Sequence, residues 1–149
     1  MESLKILKMT KIEKYKILTK YIKDMSSETP DIETFLFVKK KIAKYQLNID
    51  ISSQPLKDKL VEISTTLKYE DKEQSSKKSF FEIVFSTIIK VDNEVKKKEL
   101  EKIILCDVQT EIYPDLEKSL LDLLQNSGYP GIKFEKKVDV EALYNQKFN

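Results

Sequence analysis

Three residue types are missing from this chain. It contains no histidine and no tryptophan, and all 27 of its basic residues are lysines, so arginine is missing as well. Without histidine there is no imidazole base, no Ser–His or Cys–His nucleophile pair and no histidine-ligated zinc. Without arginine there is no bidentate fork for a phosphate or a carboxylate. Because these absences exclude most hydrolase and metalloenzyme sites, we predict a protein that is not an enzyme.

Glycine and cysteine are scarce. Gly128 and Gly131 are the only glycines, so neither a dinucleotide-binding fingerprint nor a P-loop is present, and we predict no cofactor. Cys106 is the only cysteine, which excludes an internal disulfide and favours a reducing compartment. The sequence has no run of 18 apolar residues and no continuous apolar segment near its start. We therefore expect a soluble, intracellular protein, in the cytoplasm, without a transmembrane segment.

The 149 residues are 40% apolar and 35% charged, which suits one domain that buries ~70% of its unfolded surface. Apolar residues recur at spacings of three and four along most of the chain, and this period is typical of amphipathic helices. We therefore predict an all-α fold, a compact bundle of about six helices within residues 1–126. The predicted helices cover approximately residues 2–24, 32–45, 56–67, 80–91, 95–108 and 114–126.

The fourth predicted helix is expected to be the central one. Ser79 and Glu82 have the spacing of a capping box, in which each side chain satisfies a backbone amide at the start of a helix. The residues that follow, including Phe85, are apolar over so wide an arc that the helix should be buried on most sides.

Two stretches alternate between apolar and polar residues with the period of a β-strand, residues 47–52 and 132–140. They predict a short β-ribbon in which the two stretches pair, supported by the helices. Alternatively, residues 127–149 form an extended C-terminal arm that packs on the bundle or on a partner. The side chains that such an arm would offer to a partner are Ile132, Phe134, Val138 and Val140.

Charge is unevenly distributed along the chain. Residues 1–23 hold seven lysines and two acidic residues, a net charge of +5, whereas residues 24–149 hold 20 lysines and 23 acidic residues, a net charge of −3. The predicted first helix is therefore the basic element of a mildly acidic domain, and it is a candidate for contact with an acidic partner or an anionic surface. Its candidate contact residues are Lys5, Lys8, Lys16, Lys20 and Lys23.

One segment resembles the second half of a calcium-binding EF-hand loop. Asp92 and Glu99 have the spacing of two ligands, but Ile88 and Lys90 stand where the first two oxygen ligands would be. An alkyl chain and an ammonium group do not bind a hard cation, so we predict no metal site.

Pairs and triplets of lysine raise the alternative of a nucleic-acid or anionic-surface binder. The net charge is only +2, acidic residues lie between the lysines, and there is no arginine to read base edges. The leading prediction is therefore a non-enzymatic helical module for protein–protein interaction, acting as a subunit, adaptor or regulator of another protein, with nucleic-acid binding as the less favoured alternative.

Overall fold

A computed structural model describes residues 14–134. Its centre is one antiparallel sheet of four strands in the order β1-β4-β3-β2. The strands are β1 (Tyr15–Glu28), β2 (Gln46–Pro55), β3 (Leu60–Glu70) and β4 (Phe80–Val91). The helices are α1 (Ile32–Lys41), α2 (Lys97–Lys102) and α3 (Val108–Asn126), with a π-helical turn at Ile103–Asp107 and single 3₁₀ turns at Ile42–Lys44 and Lys57–Lys59. The predicted all-α bundle is therefore wrong, because the fold is mixed.

The predicted third helix is mostly strand β3. Every second residue of β3 is buried, and three of the alternating residues, Ile63, Thr65 and Leu67, are completely so. The spacing of four between Ile63 and Leu67 also fits a strand, because residues separated by an even number of positions lie on the same face of a sheet. Since β-branched residues occupy much of this segment, a half-buried strand satisfies it better than a helix.

The predicted central helix is strand β4, which lies between β1 and β3. Apolar residues occur on both of its faces: Phe81 and Ile83 lie on the face towards the helices, and Val84 and Ile88 lie on the other. A short apolar run of this kind does not distinguish a buried helix from a buried strand by period alone. The predicted capping role of Ser79 is also wrong, because Ser79 is buried and its hydroxyl lies 3.0 Å from the Tyr129 hydroxyl.

The described part of the predicted first helix is strand β1, and two irregularities explain the error. The pairing of β1 with β4 shifts between Ile17 and Thr19 and again between Ile22 and Asp24. Each β-bulge adds one residue to the strand, so positions on one face recur after two or three residues instead of strictly after two. This mixed spacing has the appearance of a helical stripe.

Strand β2 occurs where the alternating pattern predicted it, and it pairs with β3. The other half of the predicted ribbon falls mostly outside the described residues. Within the C-terminal stretch, residues 132–134 are not in a strand, and residues 135–149 lie outside the described residues.

The helices cover one face of the sheet and complete the core. The Asp31 carboxylate accepts a hydrogen bond from the Thr34 amide at 2.7 Å, which caps the start of α1. The predicted sixth helix extends further than expected, because α3 contains Pro114 instead of beginning there. Side chains that are completely buried between α3 and the sheet are Ile63, Leu67, Ile83, Ile89, Ile112, Leu116 and Leu120. No helix among residues 14–134 is long and apolar enough to cross a membrane.

Candidate functional site

The free edge of β2 is the most regular open backbone in the described part of the fold. Ten residues of β2 pair with β3, from Gln46 opposite Glu70 to Pro55 opposite Val61, with no shift of register. No described strand lies on the other side of β2. An edge of this kind presents unpaired N–H and C=O groups, which an extended polypeptide can bind by adding a strand.

An apolar row accompanies this edge. Leu47, Ile49 and Ile51 lie on the helix-covered face of the sheet, but all three are only half-buried. Their cross-strand neighbours on β3, such as Leu67, are fully buried. The cover over this face therefore thins from the central strands towards β2, and apolar surface remains accessible beside the open backbone.

An aromatic contact continues the row beyond β2. Leu47 lies opposite Tyr69, and the Tyr69 ring lies 5.5 Å from the ring of Phe134, which follows α3 in the chain. Phe134 is itself half-buried. We call Leu47, Ile49, Ile51 and Phe134 the β2 apolar margin.

Tyr69 holds the base of the margin in place. Its hydroxyl donates a 2.7 Å hydrogen bond to the carbonyl of Ile42, and its ring lies 5.6 Å from that of Tyr45. Burial raises the pKa of Tyr69 to about 12. Burial also raises the pKa of Tyr45. A phenol is neutral at physiological pH even at its ordinary pKa of 10.0, and burial extends that neutral range for both side chains.

A second group of contacts fixes α1 against the end of α3. The Phe35 ring lies 5.1 Å from the Tyr129 ring. A Cβ atom at Gly128 would lie 2.7 Å from Phe35, and Gly128 has a φ of +98°, so both the space and the backbone require glycine. On the outer side of α1, Ile32 and Leu36 are exposed. The chain therefore shows apolar surface on α1 as well as on β2.

The structure separates the candidate contact residues that the sequence predicted. Phe134 contributes to the β2 apolar margin, and Ile132 is half-buried against the same core. Lys16, Lys20 and Lys23 lie on β1, at the opposite edge of the sheet. The other four candidates, Lys5, Lys8, Val138 and Val140, lie outside the described residues.

Two of the β1 lysines are bound within the chain. The Lys20 ammonium lies 2.6 Å from the Asp115 carboxylate of α3, and Lys23 lies 3.6 Å from Glu62 of β3. Both lysines remain largely exposed, so these pairs contribute little to stability. The structure shows no single basic surface that Lys16, Lys20 and Lys23 share.

Leu47, Ile49 and Ile51 were not among the contact residues predicted from the sequence. Their alternation was the available signal, and it correctly indicated a strand. It did not show that this strand would lie at the edge of the sheet, because that position depends on which other segments pair with each other.

Comparison with known proteins identifies the family. The family model described as "Preprotein translocase subunit SecB" matches residues 8–149. The chain belongs to the SecB family. The putative protein-export protein SecB of Pelagibacter ubique is 56% identical over 138 residues, which are 92% of this chain and 99% of the relative. The protein-export protein SecB of Bartonella bacilliformis is 20% identical over 133 residues, covering 89% of this chain and 82% of the relative.

A solved structure shares the SecB fold. It is the SecB-like chaperone Rv1957 of Mycobacterium tuberculosis in complex with a ChAD peptide from the Rv1956 HigA1 antitoxin. Its TM-score is 0.55 at 12% sequence identity, and the match covers 85% of this chain and 92% of that chain.

Family membership decides several of the predictions from sequence. SecB proteins are chaperones that bind other proteins and are not enzymes, so the predicted non-enzymatic, protein-binding role is confirmed. The description as a helical module is wrong, because the protein-binding domain is built on a sheet. No finding supports the nucleic-acid alternative.

Proposed function

We propose that this chain is a protein-export chaperone of the cytoplasm, which binds unfolded precursor proteins along the β2 edge. One observation carries the proposal: an unshifted ten-residue edge strand lies beside a half-buried apolar row. The names of its SecB relatives, which are protein-export proteins and a preprotein translocase subunit, agree with this role.

The arrangement suits a chaperone because it binds an extended segment with little dependence on the amino-acid sequence of that segment. Hydrogen bonds to a strand edge involve only the backbone of the bound segment, and every unfolded protein offers that backbone. In an extended segment, alternate side chains point to the same face, so every second residue would meet the apolar row of Leu47, Ile49 and Ile51. Apolar segments that a folded protein buries would therefore bind in preference to polar ones.

The C-terminal arm is part of the proposed site. Phe134 lies against Tyr69 beside β2, so the chain that follows α3 reaches the margin. We include Ile132, Val138 and Val140 with Phe134 as contacts to the bound segment, as their alternating pattern predicted.

The experiment measures binding of a fluorescently labelled, extended apolar peptide and of a permanently unfolded protein by fluorescence anisotropy. The double variant Ile49→Thr/Ile51→Thr keeps β-branched side chains in β2 but removes apolar contact area, so we expect the dissociation constant to rise at least 10-fold, or ~1.4 kcal/mol. The matched control is Ile88→Thr, on the opposite face of the sheet, for which we expect less than a two-fold change. Equal weakening by both would contradict the proposal.

A chemically modified peptide tests the backbone contact directly. N-methylation of alternate residues removes the amide donors of one peptide edge without removing its apolar side chains. If the peptide adds a strand to β2, methylation of the edge that faces β2 should weaken binding at least 10-fold, and methylation of the other edge should not. Equal affinity of the two methylated peptides would show that no strand is added.

A further inference from the structure

A cleft of about 280 Å³ lies at the end of the sheet where β1 begins, and three lysines line it. Lys16 of β1 is directly opposite Lys90 of β4, and Lys90 is opposite Leu60 of β3, the residue after Lys59. All three lysine side chains are exposed. Asp92 is the only carboxylate in the lining.

The three cleft lysines lie together in one lining, and two of them, Lys16 and Lys90, are directly opposite each other on neighbouring strands. Lys16, Lys59 and Lys90 form no ion pair with any carboxylate among residues 14–134. Like charges directly opposite each other on neighbouring strands repel. The other three lysines within residues 14–23 each lie near a carboxylate, in the pairs Lys14–Glu99, Lys20–Asp115 and Lys23–Glu62.

The backbone at Lys59 is also unfavourable for a lysine. Asp58 and Lys59 have φ values of 60° and 63° in the turn between β2 and β3. Residues with a Cβ atom rarely adopt this left-handed conformation, whereas glycine adopts it readily. The turn thus places a third ammonium group beside two others at a position where glycine would be unstrained.

We propose that this lysine cleft binds an acidic segment of a partner protein, through the carboxylates of closely spaced Asp or Glu residues. Neighbouring strands lie ~4.8 Å apart, so lysines on β1, on β4 and just before β3 span roughly 10 Å. Carboxylates two or three residues apart in an extended segment span a similar distance. With Asp92 included, the lining carries a net charge of about +2, which a pair of carboxylates would neutralise.

The lysine cleft is a different surface from the β2 apolar margin, so this inference goes beyond the proposed function. Lys16 lies on β1, at the other edge of the sheet from β2. A polypeptide could therefore occupy one surface without the other. A peptide ligand is favoured over an oligophosphate because the family binds proteins and because lysine, unlike arginine, offers no bidentate fork for phosphate.

The test measures binding of a labelled hexaglutamate peptide to the full chain by fluorescence anisotropy at 0.05 M and 0.2 M salt. We expect affinity that falls with salt, and no binding of a hexaglutamine peptide. A variant with all three cleft lysines changed to Gln should bind hexaglutamate at least 10-fold more weakly. The control variant Lys40→Gln/Lys44→Gln/Lys72→Gln has the same net charge as the cleft variant. It should change the affinity by less than two-fold. Equal weakening by the two variants would overturn the proposal.

A glycine variant separates binding from folding. Lys59→Gly removes one ammonium group but suits the left-handed backbone, so we expect a higher Tm together with at least a three-fold weaker affinity for hexaglutamate. An unchanged affinity would overturn the proposal.

Tighter binding of inorganic tripolyphosphate than of hexaglutamate in the same cleft would also overturn the peptide assignment. Binding of the apolar peptide by these variants should stay unchanged, so failure here is distinguishable from failure of the proposed function.

Discussion

The two edges of the sheet differ in how regular they are. β2 pairs with its neighbour through ten residues without a shift, whereas the pairing of β1 shifts twice within 14 residues. Two side chains attach β1 to α3: Lys20 to Asp115 at 2.6 Å and Tyr15 to Glu111 at 3.2 Å. Among residues 14–134, β2 forms no ion pair.

Although β2 is the more regular edge, β1 exposes more apolar surface. β1 carries the more exposed apolar side chains: Leu18, Tyr21, Ile22 and Met25, each 42–51% exposed. The apolar side chains of β2, Leu47, Ile49 and Ile51, are half-buried and therefore less exposed than those of β1. Bulges and lysines are features that protect an edge strand from accepting another strand. The proposed β2 site therefore rests on regular backbone together with apolar surface, and not on exposed apolar area alone.

The largest expected effect concerns the strand between the two edges. Phe81 of β4 is completely buried and contacts Tyr129 edge-on at 5.6 Å. Phe81→Ala should lower the free energy of unfolding by ~3–5 kcal/mol, because it leaves a cavity under the whole sheet. Urea denaturation measures this value, and a loss below ~1 kcal/mol would show that the two edges do not share one core.

A pair of double variants tests the comparison itself. Ile49→Thr/Ile51→Thr on β2 should weaken binding of an unfolded protein at least 10-fold, or ~1.4 kcal/mol, whereas Ile22→Thr/Met25→Thr on β1 should weaken it less than three-fold. Fluorescence anisotropy with each variant measures both constants. A larger effect of the β1 variant would reverse the assignment of the edges.

An alkaline titration tests the support of the β2 margin. The buried Tyr69 phenol has a pKa of about 12 in the folded protein, above its ordinary value of 10.0. The stabilisation that this raised pKa provides is complete below pH 10 and is lost as the pH rises from 10 to 12. Absorbance at 295 nm should show a late ionisation step near pH 12 to which Tyr69 contributes.

The control for this titration is Tyr69→Phe. It should reduce that late step by one tyrosine and lower the free energy of unfolding by ~1–2 kcal/mol, because the buried Ile42 carbonyl loses its donor. Ionisation of every tyrosine near pH 10 in the folded wild-type protein would contradict the buried position of Tyr69.

The smallest effect is expected where β1 is attached to α3. Lys20→Gln removes the ion pair with Asp115, but both side chains are largely exposed, so the loss should be ~0.2–1 kcal/mol at low salt. In 0.5 M NaCl the difference from wild type should nearly vanish, because salt screens exposed charges. A larger, salt-independent loss in urea denaturation would mean that this pair fixes the β1 edge.

The parts of the fold that were predicted from sequence are those that local interactions decide. Helix α1 was predicted from the Pro-Asp start, and the Asp31 cap is a contact between residues three apart. Strand β2 pairs with β3, the next strand along the chain, and its alternating polar residues indicated a strand with one face towards water. The non-enzymatic role followed from the missing histidine and arginine, since composition alone limits which chemistry a chain can perform.

The parts that were predicted wrongly depend on segments far apart in the chain. Strands β3 and β4 were read as helices because spacings of three and four among apolar residues also occur in a strand that is buried on one or both faces. The pairing of β1 with β4 joins Tyr15 to Val91, and nothing local to either residue specifies that partner. The sequence by itself determined which residues avoid water and which chemistry is excluded. Only the tertiary structure decided which strands are central and which are edges, because strand hydrogen bonds form between separate segments of the chain and not within them.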